Sequence, residues 1–456
     1  MTADATNTPP RAKAGSLYTV EPGSRRRRAA EKRFIAYGIA AIAAGLFFLV
    51  VLLVQIVGNG ASAFTQTVIE VPIYLDPAKL DKKGNRDVEE MKKVTTFGYA
   101  PLVQGALADQ VKALGIDTPL SAAKDMKAML SDSAPGQLRD FVLAHPAALG
   151  ETMTFSFFAA SRVDGYLKGR VTRDSIAQDK AIAVEHLDLT DALRQAGVLK
   201  KGFNPTFITG SDASDLRPEQ AGFGQSILGS FAMMIVVLLV CLPVSVAASI
   251  YLEEFAPRNR LTDFIEINIS NLAAVPSIVF GILALAAFIQ FGGGTLNIPG
   301  FRSSAPLVGG LALSLMTLPT IIIATRASLK AVPPSIRDAA LGLGASRMQA
   351  VFHHILPLAM PGILTGTIIG LAAALGETAP LLMIGMVAFV QSQPEGIAGF
   401  FTSPNVGMPA EIYIWASRAD GAWYERAWGG IIILLVFLLA MNLIAILMRR
   451  RFERRW

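Results

Sequence analysis

The order of apolar and polar positions divides the chain into one apolar run near the start, a long mixed stretch, and five further apolar runs joined by polar loops. The first run, residues 34–57, is long enough to cross a hydrocarbon layer of ~30 Å, which takes roughly 20 helical residues. The others cover residues 227–252, 272–291, 306–325, 363–390 and 427–448. Pro243, Pro319 and Pro380 fall inside three of them, which membrane helices tolerate. In the mixed stretch, residues 58–222, the segments 66–75, 153–161 and 181–190 read as strands. Residues 85–115, 121–130, 135–146 and 191–199 read as helices with polar caps. The pattern predicts a mainly α membrane protein of six transmembrane helices, with an α+β domain between the first two. That domain is large enough to hold a core of its own.

Composition agrees, with 52% hydrophobic and only 17% charged residues. The single cysteine, Cys241, lies in an apolar run, so no disulfide forms within the chain. No GxxxxGK[ST] segment is present, so a nucleotide site of that type is excluded. No His, Cys or acidic cluster has metal-ligand spacing, and the adjacent His353 and His354 point to different helix faces.

The net charge of +6 is unevenly spread. Residues 1–33 carry eight Lys/Arg against three acids, and residues 449–456 carry five against one. Residues 58–222 carry nineteen against twenty-one. Basic ends that abut apolar runs point to membrane orientation and anionic lipid rather than to nucleic acid. Positive residues favour the cytoplasmic side, and six crossings place both ends there. The loop 326–358, with Arg326, Lys330, Arg337 and Arg347 against Asp338, falls on the same side. The 58–222 domain falls outside, as does the 391–426 loop with Glu395, Glu411, Asp420 and Glu425. Residues 1–33 are expected to be a disordered basic tail, and 449–456 a second basic tail. Ala61-Ser62-Ala63 follows the first run, but the run exceeds a signal-peptide core and reads as an uncleaved anchor.

The stretch 332–380 joins polar and membrane chemistry. Pro333 and Pro334 end one element, and Ser335 to Asp338 has capping-box spacing. Asp338-Ala339-Ala340 then opens a short helix that Gly342 and Gly344 break. Ser346 can cap a second helix, stopped by Pro357. Two short helices beside the membrane make a compact knob with a small-residue face. Beyond it, Glu377 falls near the middle of an apolar run, where a charge costs about 2.5–3.5 kcal/mol on insertion scales. It reads as a gate, as half of an arginine pair, or as a tie between helices. A carboxylate repels anions, so it does not read as a direct anion ligand. Thr378 can donate a hydroxyl to an oxyanion, and Pro380 frees nearby backbone groups. Arg326 reads as an interfacial arginine, an anion contact, or a partner for Glu377.

Asp338, Ala339, Ala340, Gly344, Leu356 and Pro357 resemble the EAA loop of bacterial ABC-transporter permeases, with Asp for Glu and His354 at the usual Ile. The segment LGETAPLL (375–382) resembles the GETAP signature of phosphate permeases. AVPSIVFGI (274–282) and IYLEEFAP (250–257) favour the PstA type. The resemblance covers roughly residues 218–448 and leaves the anchor and the 58–222 domain as an extension. It implies a type I ABC importer permease fold in the bacterial inner membrane, importing phosphate without an ATPase site of its own. Asp338, Ala339, Ala340, Gly344, Ala345 and Pro357 would then couple to a separate PstB-like ATPase dimer that uses ATP and Mg. Glu377, Thr378, Pro380 and Arg326 would serve translocation or gating. A PstC-like second permease and a periplasmic PstS-like phosphate-binding protein complete the implied set of partners. Import of molybdate, sulfate or phosphonate is the alternative within this class. A membrane sensor using the 58–222 domain is the alternative outside it.

Overall fold

The computed structural model describes residues 22–81, 83–176, 182–390 and 395–452. Residues 1–21 and 453–456, most of the two expected tails, lie outside the described residues. Residues up to 56 form one unit, whose described part is a continuous helix, α1 (Pro22–Gly60), that ends in the second unit. Residues 22–33 are therefore helical rather than disordered. Arg, Ala, Glu and Lys are strong helix formers, and extending an existing helix avoids the cost of nucleation.

The second unit opens with a three-stranded antiparallel sheet of order β2-β1-β3. Its strands are β1 (Thr65–Tyr74), β2 (Thr152–Phe158) and β3 (Leu199–Phe203). Ile69 lies opposite both Phe157 and Leu199, and the buried face continues through Val71 and Ile73. Helix α2 (Thr96–Ala113) covers this face with Tyr99, Val103, Leu107 and Val111 at four-residue spacing, which keeps them on one stripe. Helices α3 (Ala134–Ala144) and α4 (Ser161–Leu167) complete the layer.

Several expectations fail in this domain, among them the single helix at 85–115, which is a short turn of helix at Val88–Met91 followed by the separate α2. The strand expected at 181–190 is helix α5 (Val184–Gln195), because Val184 is exposed and Leu187, Thr190 and Leu193 are buried at helical spacing. The third strand is instead Leu199–Phe203, at whose sheet edge only Leu199 is buried, so no alternation announces it. The helix expected at 121–130 is reduced to a 3₁₀ stretch, Ala123–Ala128.

The membrane part comprises α6 (Gly224–Ile250), α7 (Arg260–Leu272), α8 (Ser277–Ala284), α9 (Pro306–Lys330) and α10 (Pro334–Gly342). It continues with α11 (Leu356–Gly376), α12 (Ala379–Met383), α13 (Met408–Ala416) and α14 (Gly421–Phe452). Wider π-turns extend α6 to Phe255, extend α8 to Thr295 and lead from residue 351 into α11. Among the described residues, six helices are long and apolar enough to cross a membrane.

Two expected spans are redrawn. The run at 272–291 starts at Ser277, since the residue before Pro276 is pushed out of helical geometry, and Leu272 ends the separate helix α7. The run at 363–390 is not one helix. Its helix stops at Gly376, Glu377 takes an extended backbone, and a short new helix starts at Ala379.

α6 and α9 run parallel in a constant register. Cys241 Sγ approaches the Ser314 carbonyl at 3.5 Å, Ser245 Oγ that of Leu318 at 3.4 Å, and Ser249 Oγ that of Ile322 at 3.1 Å. A fourth rung, four residues further on, is the ion pair of Glu253 with Arg326 at 2.5 Å. Small residues let the two backbones approach, and the hydroxyls find acceptors that lipid does not offer. α11 packs against α9 in the opposite direction, through Gly362 at Ser328, Gly366 at Ala324 and Gly370 at Ile321. Arg449 on α14 donates to Thr365 Oγ1 on α11 at 3.2 Å.

Candidate functional site

The knob after α9 is built from α10 and the helical turn Arg347–Ala350. α10 begins at Pro334, whose fixed φ suits the first helical turn. Ser335 therefore lies inside the helix, and the capping box expected from Ser335 to Asp338 does not form. Asp338 and Ala339 are exposed, while Ala340 is buried. Gly344 has φ +91°, and its N–H and that of Ala345 close the helix on the carbonyls of Leu341 and Ala340. The Ser346 cap forms as expected, with Gln349 N donating to its Oγ at 3.2 Å and Gln349 Oε1 accepting from Ser346 N at 2.8 Å.

Pro357 does not stop the second helix. It has no N–H to bond the turn before it, and the wide π-turn at 351–355 absorbs this while the helix continues to Gly376. The knob shows an apolar tip. Leu343 is 90% exposed, and Met348 and Phe352 are also exposed.

The knob is wired to the membrane helices. Arg337 on α10 pairs with Glu254 at the end of α6. Arg326 on α9 pairs with Glu253 at 2.5 Å and with Glu266 on α7 at 2.7 Å, and Lys330 reaches Glu253 at 3.4 Å. Arg326 is thus neither an isolated interfacial arginine nor a partner of Glu377. At the end of a span, Glu253 and Glu254 read from the sequence as interfacial residues or ATPase contacts, not as partners of Arg326 and Arg337. For Glu253, the four-residue step from Ser245 and Ser249 was the available signal.

Glu377, Thr378 and Pro380 lie together at the break between α11 and α12, not inside a span. The Glu377 side chain forms no ion pair or hydrogen bond among the described residues. Pro380 is buried against α8, where a Cβ on Gly281 would lie 2.7 Å from the Pro380 Cα. Ser303 Oγ donates to the Ile384 carbonyl at 3.2 Å, and Ser304 Oγ donates to that of Gly385. The break is therefore held on two sides by neighbouring elements. Among the described residues, no group of three or more His, Cys, Asp or Glu side chains forms a metal site.

A family model described as "Binding-protein-dependent transport system inner membrane component" matches residues 244–456. A second, described as a domain of unknown function (DUF3333), matches residues 21–177. A probable ABC transporter permease protein, YqgI, from Bacillus subtilis is 32% identical over 232 residues, 49% of this chain and 76% of that protein. The phosphate transport system permease protein PstA 2 of Mycobacterium bovis is 34% identical over 259 residues, 55% of this chain and 79% of that protein. The chain belongs to the PstA-type ABC transporter permeases. Among solved structures, the inward-facing MetNI methionine ABC transporter aligns with 51% of this permease and 95% of that chain, at 17% identity and a TM-score of 0.36. The permease is a multi-pass inner membrane protein of mainly helical fold. Its match to the transport family ends short of the sheet domain, which the other family model covers in part.

Proposed function

We propose that this chain is a membrane-spanning subunit of an ATP-driven phosphate importer. It forms the translocation pathway with a second permease, receives phosphate from an external binding protein, and takes its drive from a separate ATPase dimer docked on the α10 knob. The identity of about a third with permeases named for phosphate transport supports the substrate class. The observation that carries the coupling is the pair of charged links behind the knob. Arg337 joins it to the end of α6, and Arg326 joins α9 to α6 and α7. Force on the apolar tip at Leu343 therefore reaches α6 through the Arg337 ion pair, and α6 is tied in turn to α9 and, through Arg326, to α7. Asp338, Ala339, Ala340, Gly344, Ala345 and Pro357 shape that knob, and Glu377, Thr378 and Pro380 form the break that moves.

The same reading orients the chain. Arg449 and the knob lie at one end of the helices, and the sheet domain joins α6 and α14 at the other. Positive residues at the first end favour the cytoplasm for that end and the outside for the sheet domain. The test is phosphate uptake into vesicles carrying this chain with its neighbouring permease and ATPase. ATP-dependent accumulation is expected, with loss of uptake but retained insertion in Leu343→Asp. Accumulation of sulfate or molybdate in preference to phosphate would replace the substrate class. Uptake unchanged by Leu343→Asp would remove the knob from the coupling path.

A further inference from the structure

The sheet domain is joined to the end of α14 by buried charges that the transport reading does not use. Lys168, at the end of α4, has a side chain only 1% exposed and bridges Asp164 at 2.7 Å and Glu425 of α14 at 3.0 Å. Arg170 pairs with the other Glu425 oxygen at 2.5 Å. Asp164 also accepts from the Thr67 N–H of β1 at 3.0 Å, so the ion cluster is continuous with the sheet. The next residue, Arg426, is buried and donates to Ala63 O at 2.9 Å, Gln66 Oε1 at 2.7 Å and Glu219 O at 3.1 Å. It ties together the segment before β1, β1 itself, and the turn that leads into α6. At the rim, Arg162 pairs with Asp420 at 2.5 Å.

Such a seam does not open at low cost. Removing one member of a buried ion pair leaves the other uncompensated in a poor solvent for charge. Two flexible tethers would give a mobile domain. Here a helix end and a sheet share desolvated ions, so sliding one over the other would strand Lys168, Glu425 or Arg426.

We propose that the sheet domain, as its described residues define it, and the outer end of α14 move as a single rigid body, so that the external domain is a lever carried by the last membrane helix. When α14 tilts during transport, the domain swings with it. A partner that grips the domain from outside thereby restrains α14. The transport cycle in this statement rests on the function proposed above, whereas the rigid seam does not.

Pulsed electron spin resonance on the full chain in lipid, with its permease and ATPase partners, tests both parts. Spin labels are placed at Lys112→Cys on α2 and Val436→Cys on α14, and buried Cys241 stays in place. The Lys112–Val436 distance should give one narrow distribution, unchanged between the nucleotide-free and ATP–vanadate states. A second pair, Lys112 with Arg258→Cys in the exposed connection between α6 and α7, should shift between those states. Glu425→Ala should broaden the Lys112–Val436 distribution, and Glu425→Gln, which keeps the side-chain volume, should broaden it less. A wild-type Lys112–Val436 distance that splits or shifts with nucleotide overturns the lever. So does a distribution left narrow by both Glu425 variants, since the ions would then not form the clamp. A Lys112–Arg258 pair that never moves counts against the ATP-driven cycle, and the seam is then decided by the Glu425 variants alone.

Discussion

At the scale of single residues, the most unusual chemistry lies outside the membrane helices, at Asp212 and Glu411. Burial, and then the neighbouring Asp212 charge, holds the Glu411 carboxyl well above the usual carboxylate range. Burial also pushes Asp212 up, against the pull of Arg418 at 3.7 Å and the indole N–H of Trp415 at 3.1 Å. Arg418 is shared with Asp215 at 3.0 Å and lies over the Trp423 ring, so it does not neutralise both acids. A carboxyl raised on folding binds its proton more tightly in the folded state, so its contribution is complete at low pH and is lost as pH rises through the raised value. Stability of the detergent-solubilised chain should therefore fall from mildly acidic to alkaline pH, and Glu411→Gln should flatten that slope. Thermal unfolding across a pH series reads both. At the α11–α12 break, Glu377→Gln should lower uptake several-fold while leaving assembly with the second permease intact. Equal loss of assembly would make Glu377 a structural tie.

At the scale of elements, glycines set how closely helices meet. A Cβ at Gly366 would lie 2.3 Å from Ala324 Cβ, so Gly366→Leu should push α11 from α9 and reduce folded protein in the membrane. Gly342→Leu, where a Cβ meets nothing within 4 Å, should leave folding intact. Gly344 differs again. Its surroundings are open but its φ is positive, so Gly344→Ala should cost roughly 1–2 kcal/mol locally and weaken ATPase coupling rather than insertion. Coupled ATPase and uptake assays on each variant separate these cases. The apolar length of each run was legible in the sequence, whereas the close approach of Gly362, Gly366 and Gly370 to α9 was not read there. The stop at Gly376 was not, because an apolar run reports hydrophobicity and not helical continuity. Strand β3 was equally hidden, since LKKGF on a solvated edge buries one side chain and needs no pattern.

At the scale of the whole molecule, the six apolar helices were legible in the lengths of the runs, whereas the seam between the sheet domain and α14 was not. Lys168, Arg170, Glu425 and Arg426 each read as ordinary surface charges until folding brings them together. A consequence can be measured. Deleting residues 66–217 should lower the yield of inserted protein, because Glu425 loses Lys168 and Arg170 and Arg426 loses Gln66, an effect of up to about 3–5 kcal/mol for one charge left buried without its partner. The same deletion with Glu425→Ala and Arg426→Ala should recover insertion, read as the yield of monodisperse protein. Failure of the rescue would mean that the domain supports the membrane part through packing and not through its ions.

The four-step register between α6 and α9 also governs which changes of chain length the molecule can accept. Every helical residue turns the chain by about 100°. One amino acid inserted into α6 between Ser245 and Ser249 would rotate everything beyond it, swinging Ser249 and Glu253 away from Ile322 and Arg326 together. Insertions of the same size at residues 256–259 or 296–305, between the helices, displace no rung. Length variation among permeases built this way should therefore gather in those connections and be excluded from residues 241–253 and 314–326.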